Sequence, residues 1–222
     1  MLENPQFYSG LLLVLEVFAG TLVLSLPLGL AVALVSRSRF APLRWLMVAF
    51  ITVLRGTPLL LQLIFVYFGL PVLAQMLGIT GGIAQKLLVL DQLPAVLLAF
   101  TLNYAAYFAE IYRGGFESID KGQYEAARTL GFNRSTTLRR IILPQVIKRI
   151  LPPVSNEIIT LVKDTSLVYA IGAVDILRVA QIEMNKTASL APLAWSALVY
   201  LIIVIALTYL LHLAEKRLAY YR

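Results

Sequence analysis

Apolar residues fall in blocks long enough to cross a bilayer, parted by short polar stretches. About 20 apolar residues in a helix cover ~30 Å of hydrocarbon. Residues 10–35 hold one acid, Glu16, no base, and Pro27 as a place to bend. No base precedes this block, and it is too long for the apolar core of a signal peptide. Residues 58–77 follow Arg55-Gly56-Thr57-Pro58. Proline suits a first helical turn, where its missing N–H costs nothing. Residues 45–54 before it are apolar but too few to cross alone, and fit either an interfacial helix or the first half of a broken span. Residues 93–112 form a third block and residues 191–214 the last, which stops at Glu215-Lys216-Arg217. Residues 154–180 form the fourth, although Glu157, Lys163, Asp164 and Asp175 lie within it. No repeat or second domain interrupts the pattern, so residues 1–222 read as a single transmembrane domain of the all-α class.

Composition agrees, with 59% hydrophobic and 14% charged residues. A soluble domain runs nearer ~45–50% apolar and ~25% charged, and a chain this short has too much surface to hide the excess. The net charge of +7 is informative through its placement. Arg37, Arg39 and Arg44 follow the first block, and Lys216, Arg217 and Arg222 follow the last. Arg113, Lys121, Arg128, Arg134, Arg139, Arg140, Lys148 and Arg149 crowd the connection between blocks three and four. With five spans these three regions share one face. Bases favour the cytoplasmic side, which puts the N-terminus outside and the C-terminus in the cytoplasm. The surplus is thereby explained without nucleic acid. The absence of cysteine excludes disulfides and thiolate metal sites.

The long connection, residues 114–153, carries local instructions. Asp120 is an N-cap for a short helix through Leu130, and Gly131 then suits the residue after a helix end. Asn133 caps a second short helix expected to end at Pro144. From physics alone this segment is either an amphipathic connector lying on anionic lipid or a docking surface. The spacing Glu125-Ala126-Ala127, Gly131, Ile141, Leu143-Pro144 decides between them. It follows E-A-A-x3-G-x9-I-x-L-P throughout and resembles the cytoplasmic loop of permease subunits of bacterial ATP-binding-cassette importers. Asn103-Tyr104-Ala105-Ala106-Tyr107, Ala109-Glu110, Arg113-Gly114, Arg55-Gly56-Thr57-Pro58 and Lys163-Asp164-Thr165-Ser166-Leu167 resemble the polar-amino-acid subfamily, which serves histidine, arginine, glutamine, glutamate and cystine.

That resemblance implies the type I importer permease architecture. It implies that Glu125, Ala126, Ala127, Gly131, Ile141, Leu143 and Pro144 form a coupling helix and its surroundings, docking on an ATPase subunit. It implies a second permease subunit, identical or related, an extracytoplasmic amino-acid-binding protein, and a place in the bacterial cytoplasmic membrane as a multi-pass protein. The chain has no G-x-x-x-x-G-K-[ST] phosphate loop, so ATP and magnesium belong to the partner ATPase, and no cofactor or metal is expected here. A Ser-His-Asp triad could use only His212, which reads as a helix-end residue beside Glu215. No catalytic residue is expected.

Charges within spans are costly and usually face protein or a water-filled cavity. Asp164 is a candidate partner for a solute ammonium, and Thr165 and Ser166 are candidate donors to its carboxylate. The competing reading gives all three to backbone freed at a helix break, or Asp164 to Arg55. Glu110 fits solute contact or an i,i+3 pair with Arg113, and Tyr107, nearby on the same span, fits a cavity wall or plain packing. Arg55, with Thr57 beside it, fits a carboxylate fork or a side chain reaching the headgroups. Asn156-Glu157 reads as a polar pair opening span four. The resemblance implies an ATP-driven importer subunit moving polar amino acids by alternating access. The rivals are an ion- or proton-coupled secondary transporter, with Glu110 and Asp164 as carriers, and a membrane adaptor that transports nothing.

Overall fold

The computed structural model describes residues 4–79 and 81–218, so Arg222, assigned to the basic tail, lies outside the described residues. The described secondary structure is helical throughout: α1 (Pro5–Val35), α2 (Ala41–Gly56), α3 (Leu59–Met76), α4 (Gly82–Leu88), α5 (Gln92–Glu117), α6 (Lys121–Thr129), α7 (Arg134–Ile171), α8 (Ile176–Thr187) and α9 (Ala191–Leu218). Four of these, α1, α3, α5 and α9, are long and apolar enough to cross a membrane. A fifth crossing results if α7 and α8, bent 56° at a short break, are taken together.

The hub is α5. Its residues Val96, Ala99, Phe100, Tyr104, Ala105, Ala106, Phe108 and Ala109 are buried. Phe100, Tyr104 and Phe108 meet Val17 of α1, Leu63 of α3 and Leu161 and Val168 of α7 in one apolar core. α1 lies close along α5 because small residues let the two backbones approach. A Cβ on Gly29 would stand 2.8 Å from the Phe108 Cβ and 2.9 Å from the Ala105 carbonyl oxygen. α9 carries exposed Leu201, Ile202, Ile205 and Leu210, as expected of a helix that faces lipid around most of its girth.

The second span differs from its sequence boundaries. Met47, Phe50 and Ile51 of α2 pack with Val32 and Ala33 of α1 and Ala109 and Tyr112 of α5, while Tyr67, Phe68 and Val72 of α3 lie with Val89, Leu93 and Val96 at the other end of α5. Together α2 and α3 run the length of α5 in the opposite direction, interrupted at residues 56–58. Residues 45–54, expected as an interfacial helix or a half-span, thus lie in α2, packed near one end of α5, and residues 58–77 correspond to α3, which is long and apolar enough to cross by itself.

The fourth span also departs from expectation. No helix ends at Pro144; α7 runs through it to Ile171. Residues Thr137–Ile142 form a π turn, in which the Leu143 N–H reaches back to the Leu138 carbonyl. Widening the helix just before a proline relieves the clash between its ring and the preceding turn. α3 does the same, with the π turn Phe65–Gly69 ahead of Pro71. Glu157, expected at a helix opening, therefore sits inside a long helix. The last turns of α7 tighten to a 3₁₀ helix, Thr165–Ile171, and Gly172 follows at φ 80°. There Asp175 caps α8, accepting from the Arg178 N–H at 2.8 Å and from the Tyr200 hydroxyl at 3.2 Å.

Candidate functional site

The break between α2 and α3 frees backbone groups beside the middle of α5. Two amides take them up. Gln62 Nε2 donates to the carbonyl oxygens of Leu54 at 2.8 Å and Thr57 at 3.1 Å. Asn103 Nδ2 donates to the Leu54 carbonyl at 3.1 Å and to Gln62 Oε1 at 3.0 Å. A helix can open at this depth only where such partners exist. The first turn of α3 leaves its leading N–H groups without intrahelical acceptors, and these carry the positive end of the helix dipole.

Around the break lies a cavity of about 570 Å³, walled by α2, α3, α5 and α7. That volume falls in the range of small-molecule sites, roughly 300–1,000 Å³. Arg55 and Thr57 line it from the break, and Asn103, Tyr104 and Tyr107 from α5. α7 contributes Glu157, Thr160 and Asp164, which share one helix face at i, i+3 and i+7. The charged lining is one guanidinium and two carboxylates.

The wall is oriented by its neighbours. The Tyr104 hydroxyl donates to Asp164 Oδ2 at 2.7 Å. The Arg55 guanidinium lies over the Tyr107 ring, 5.2 Å from its centroid, and 3.7 Å from Glu110 Oε1. Arg55 thus turns to α5 and the cavity. A cation over a ring face is held without using up its donors, so the fork stays free to bind an anion.

Of the residues singled out by sequence, Arg55, Thr57, Tyr107 and Asp164 line this one cavity. Glu110 adjoins it through Arg55 and is bound mainly by Arg113, whose Nε donates to Glu110 Oε2 at 3.0 Å. Thr165 is buried and donates to the Val162 carbonyl, and Ser166 donates to the Lys163 carbonyl. Neither is part of the cavity wall; both hydroxyls bond carbonyls one turn back, and the Thr165 hydroxyl also meets that of Tyr200. Sequence reasoning missed Asn103, Tyr104, Glu157 and Thr160 as lining residues. The i, i+3, i+7 spacing of Glu157, Thr160 and Asp164 was the available signal.

The connection after α5 forms a second site. Asp120 caps α6 by accepting from the Gly122 N–H at 2.6 Å. At the other end Gly131, at φ 77°, lets the Phe132 N–H return to the Ala127 carbonyl at 3.0 Å. Asn133 caps α7, accepting from the Thr136 N–H at 2.8 Å. Glu125, Ala126 and Gly131 are exposed, whereas Ala127 is buried and turned inward. Ile141, Leu143 and Pro144 are half-buried. Ile141 packs with Ile119, Ile142 and Val146 in a small core that carries α6.

Comparison with known proteins fits this geometry. Residues 25–220 match the family described as binding-protein-dependent transport system inner membrane component. The arginine transport system permease protein ArtQ of Bacillus subtilis is 38% identical over 217 residues, 97% of this chain and 94% of its own length. The L-cystine transport system permease protein TcyB of the same organism is 34% identical, over 98% of this chain and 88% of its own. A crystal structure of an amino acid ABC transporter with histidines superposes with a TM-score of 0.83 at 34% identity, covering 96% of this chain and 94% of that one.

Proposed function

The chain belongs to the family of binding-protein-dependent transport system inner membrane components and is the permease subunit of an ATP-driven importer, and from that premise we propose that it carries a cationic amino acid through the Arg55–Asp164 cavity. One observation carries the choice of solute: a single guanidinium, Arg55, shares the cavity with two carboxylates, Glu157 and Asp164. A zwitterion needs a donor set for its carboxylate and an acceptor for its ammonium. Arg55 and the first turn of α3 supply the donors. Asp164, steadied by Tyr104, and Glu157 supply two acceptors, one more than the α-ammonium requires. The spare carboxylate suits a positively charged side chain. That ArtQ is an arginine transport permease supports this reading.

The remaining roles rest on the family. The basic ends of α1, α5 and α9 face the cytoplasm, with five crossings in the cytoplasmic membrane and the N-terminus outside. Glu125, Ala126, Ala127, Gly131, Ile141, Leu143 and Pro144 meet a separate ATPase, which holds ATP and magnesium. A second permease completes the pathway, and an extracytoplasmic binding protein delivers the solute. Closure of the ATPase pair moves α6 and switches access to the cavity from one side to the other.

The test is uptake by the complex of permease and ATPase reconstituted in vesicles with its binding protein. Asp164→Asn is expected to lower L-arginine uptake by about tenfold, corresponding to one charge-assisted bond at ~1.4 kcal/mol, and L-glutamine uptake by less. Equal losses for both solutes would remove the charge-pairing role, and uptake that survives a hydrolysis-dead ATPase would remove the importer mechanism.

A further inference from the structure

A row of alternating charges joins the cavity wall to the root of the docking segment. Glu110, Arg113 and Glu117 occupy i, i+3 and i+7 of α5 and so succeed one another down one face. Arg113 is the fork between them. Its Nε and Nη2 bond Glu110, and its Nη1 donates to both carboxylate oxygens of Glu117, at 2.8 and 2.7 Å. Arg55 tops the row from α2. Glu117 is the last residue of α5. The next, Ser118, has its carbonyl bonded by Arg149 of α7, and Asp120 then caps α6. From Tyr107 to Glu117 the row descends ten residues, roughly 15 Å of helix.

The ends of the row are held unequally. Arg55 stands 3.7 Å from Glu110, an ion pair beyond hydrogen-bond range, whereas Arg113 is bonded on both sides. Arg55 is therefore the member free to leave. Resting on the proposed solute site, we infer that this row relays occupancy of the cavity to the ATPase-docking helix. A solute carboxylate that draws Arg55 inward leaves Glu110 to Arg113 alone. Arg113 shifts toward Glu110 and gives up part of its hold on Glu117. The last turn of α5, from which α6 hangs, is loosened. If the row were only a set of helix-surface pairs, each would add a little stability and carry no message.

The two readings separate in the purified complex of permease and ATPase, with L-arginine as probe. Its affinity is measured by calorimetry, and ATP hydrolysis is measured with and without it. Glu117→Gln, at the exposed foot of the row, is expected to leave L-arginine affinity within about twofold and basal hydrolysis unchanged, yet to cut the stimulation by L-arginine about fivefold or more. Glu110→Gln is expected to cut stimulation equally, and the double variant no further, because links of one chain are not additive. Full stimulation in Glu117→Gln overturns the relay, as do independent, multiplying losses in the double variant or a wild-type complex whose hydrolysis ignores L-arginine. Should Glu110→Gln fail to insert, Glu117→Gln alone decides. Arg55→Ala separates the relay from its premise. If that variant binds L-arginine as the wild type does, the solute site falls and the relay with it; if it loses affinity while Glu117→Gln stays fully stimulated, the relay alone falls.

Discussion

At residues 56–58 and again at residues 172–175 the chain interrupts a long helix, and the two interruptions are finished differently. The first is held by side-chain amides, Gln62 and Asn103, that reach the loose carbonyls from the helix ahead and from a neighbour. It opens onto a cavity with Arg55 on its rim. The second is sealed. The Asp175 carboxylate is fully buried and satisfied by a helix N–H and the Tyr200 hydroxyl, and Gly10 of α1 packs so tightly that a Cβ there would come 2.8 Å from the Asp175 carbonyl carbon. An interruption that keeps polar groups facing open space is a place for a solute. One that spends its polar groups on its own closure is a joint.

The comparison can be broken by substitution. Asp175→Ala should cost the most stability, about 3 kcal/mol, since it removes a buried N-cap and one of the partners of the Tyr200 hydroxyl. Thermal unfolding in detergent should show the loss while L-arginine affinity stays unchanged. Gln62→Ala should cost about 2 kcal/mol through the freed Leu54 and Thr57 carbonyls, and here affinity should fall too. If the two variants lowered affinity alike, the distinction between site and joint would fail. Gly172→Ala should cost about 1 kcal/mol, the penalty of a side chain in the left-handed region. Gly56→Ala should be within about 0.5 kcal/mol of the wild type, because the space at its Cβ position is empty within 4 Å and its backbone is helical.

Local signals were the legible ones. The caps Asp120 and Asn133 and the turn at Gly131 each act within five residues of themselves, so the connection after α5 could be drawn from sequence. Membrane-length apolar runs gave α1, α5 and α9 for the same reason. The proline rule failed at Pro144 because a π turn, which has no compositional mark, absorbs the clash. Glu157 was overlooked because that misplaced helix end made it a terminal residue. The partnership of Arg55 with Tyr107 and Glu110 was illegible because it joins α2 to α5 across more than fifty residues. The antiparallel run of α2 and α3 against α5 brings the three side chains together.

The π turn ahead of Pro144 also sets a phase. It adds one residue to α7 between α6 and the cavity, and each residue added to a helix rotates its downstream part by about 100°. Glu157, Thr160 and Asp164 face Arg55 only with that residue counted in. Deleting Leu138, an exposed position of that turn, would leave Ile141, Leu143 and Pro144 in the chain, yet it would rotate the acidic stripe off the cavity wall. The spacing between Gly131 and Leu143-Pro144 is therefore a measure of angle as well as of length.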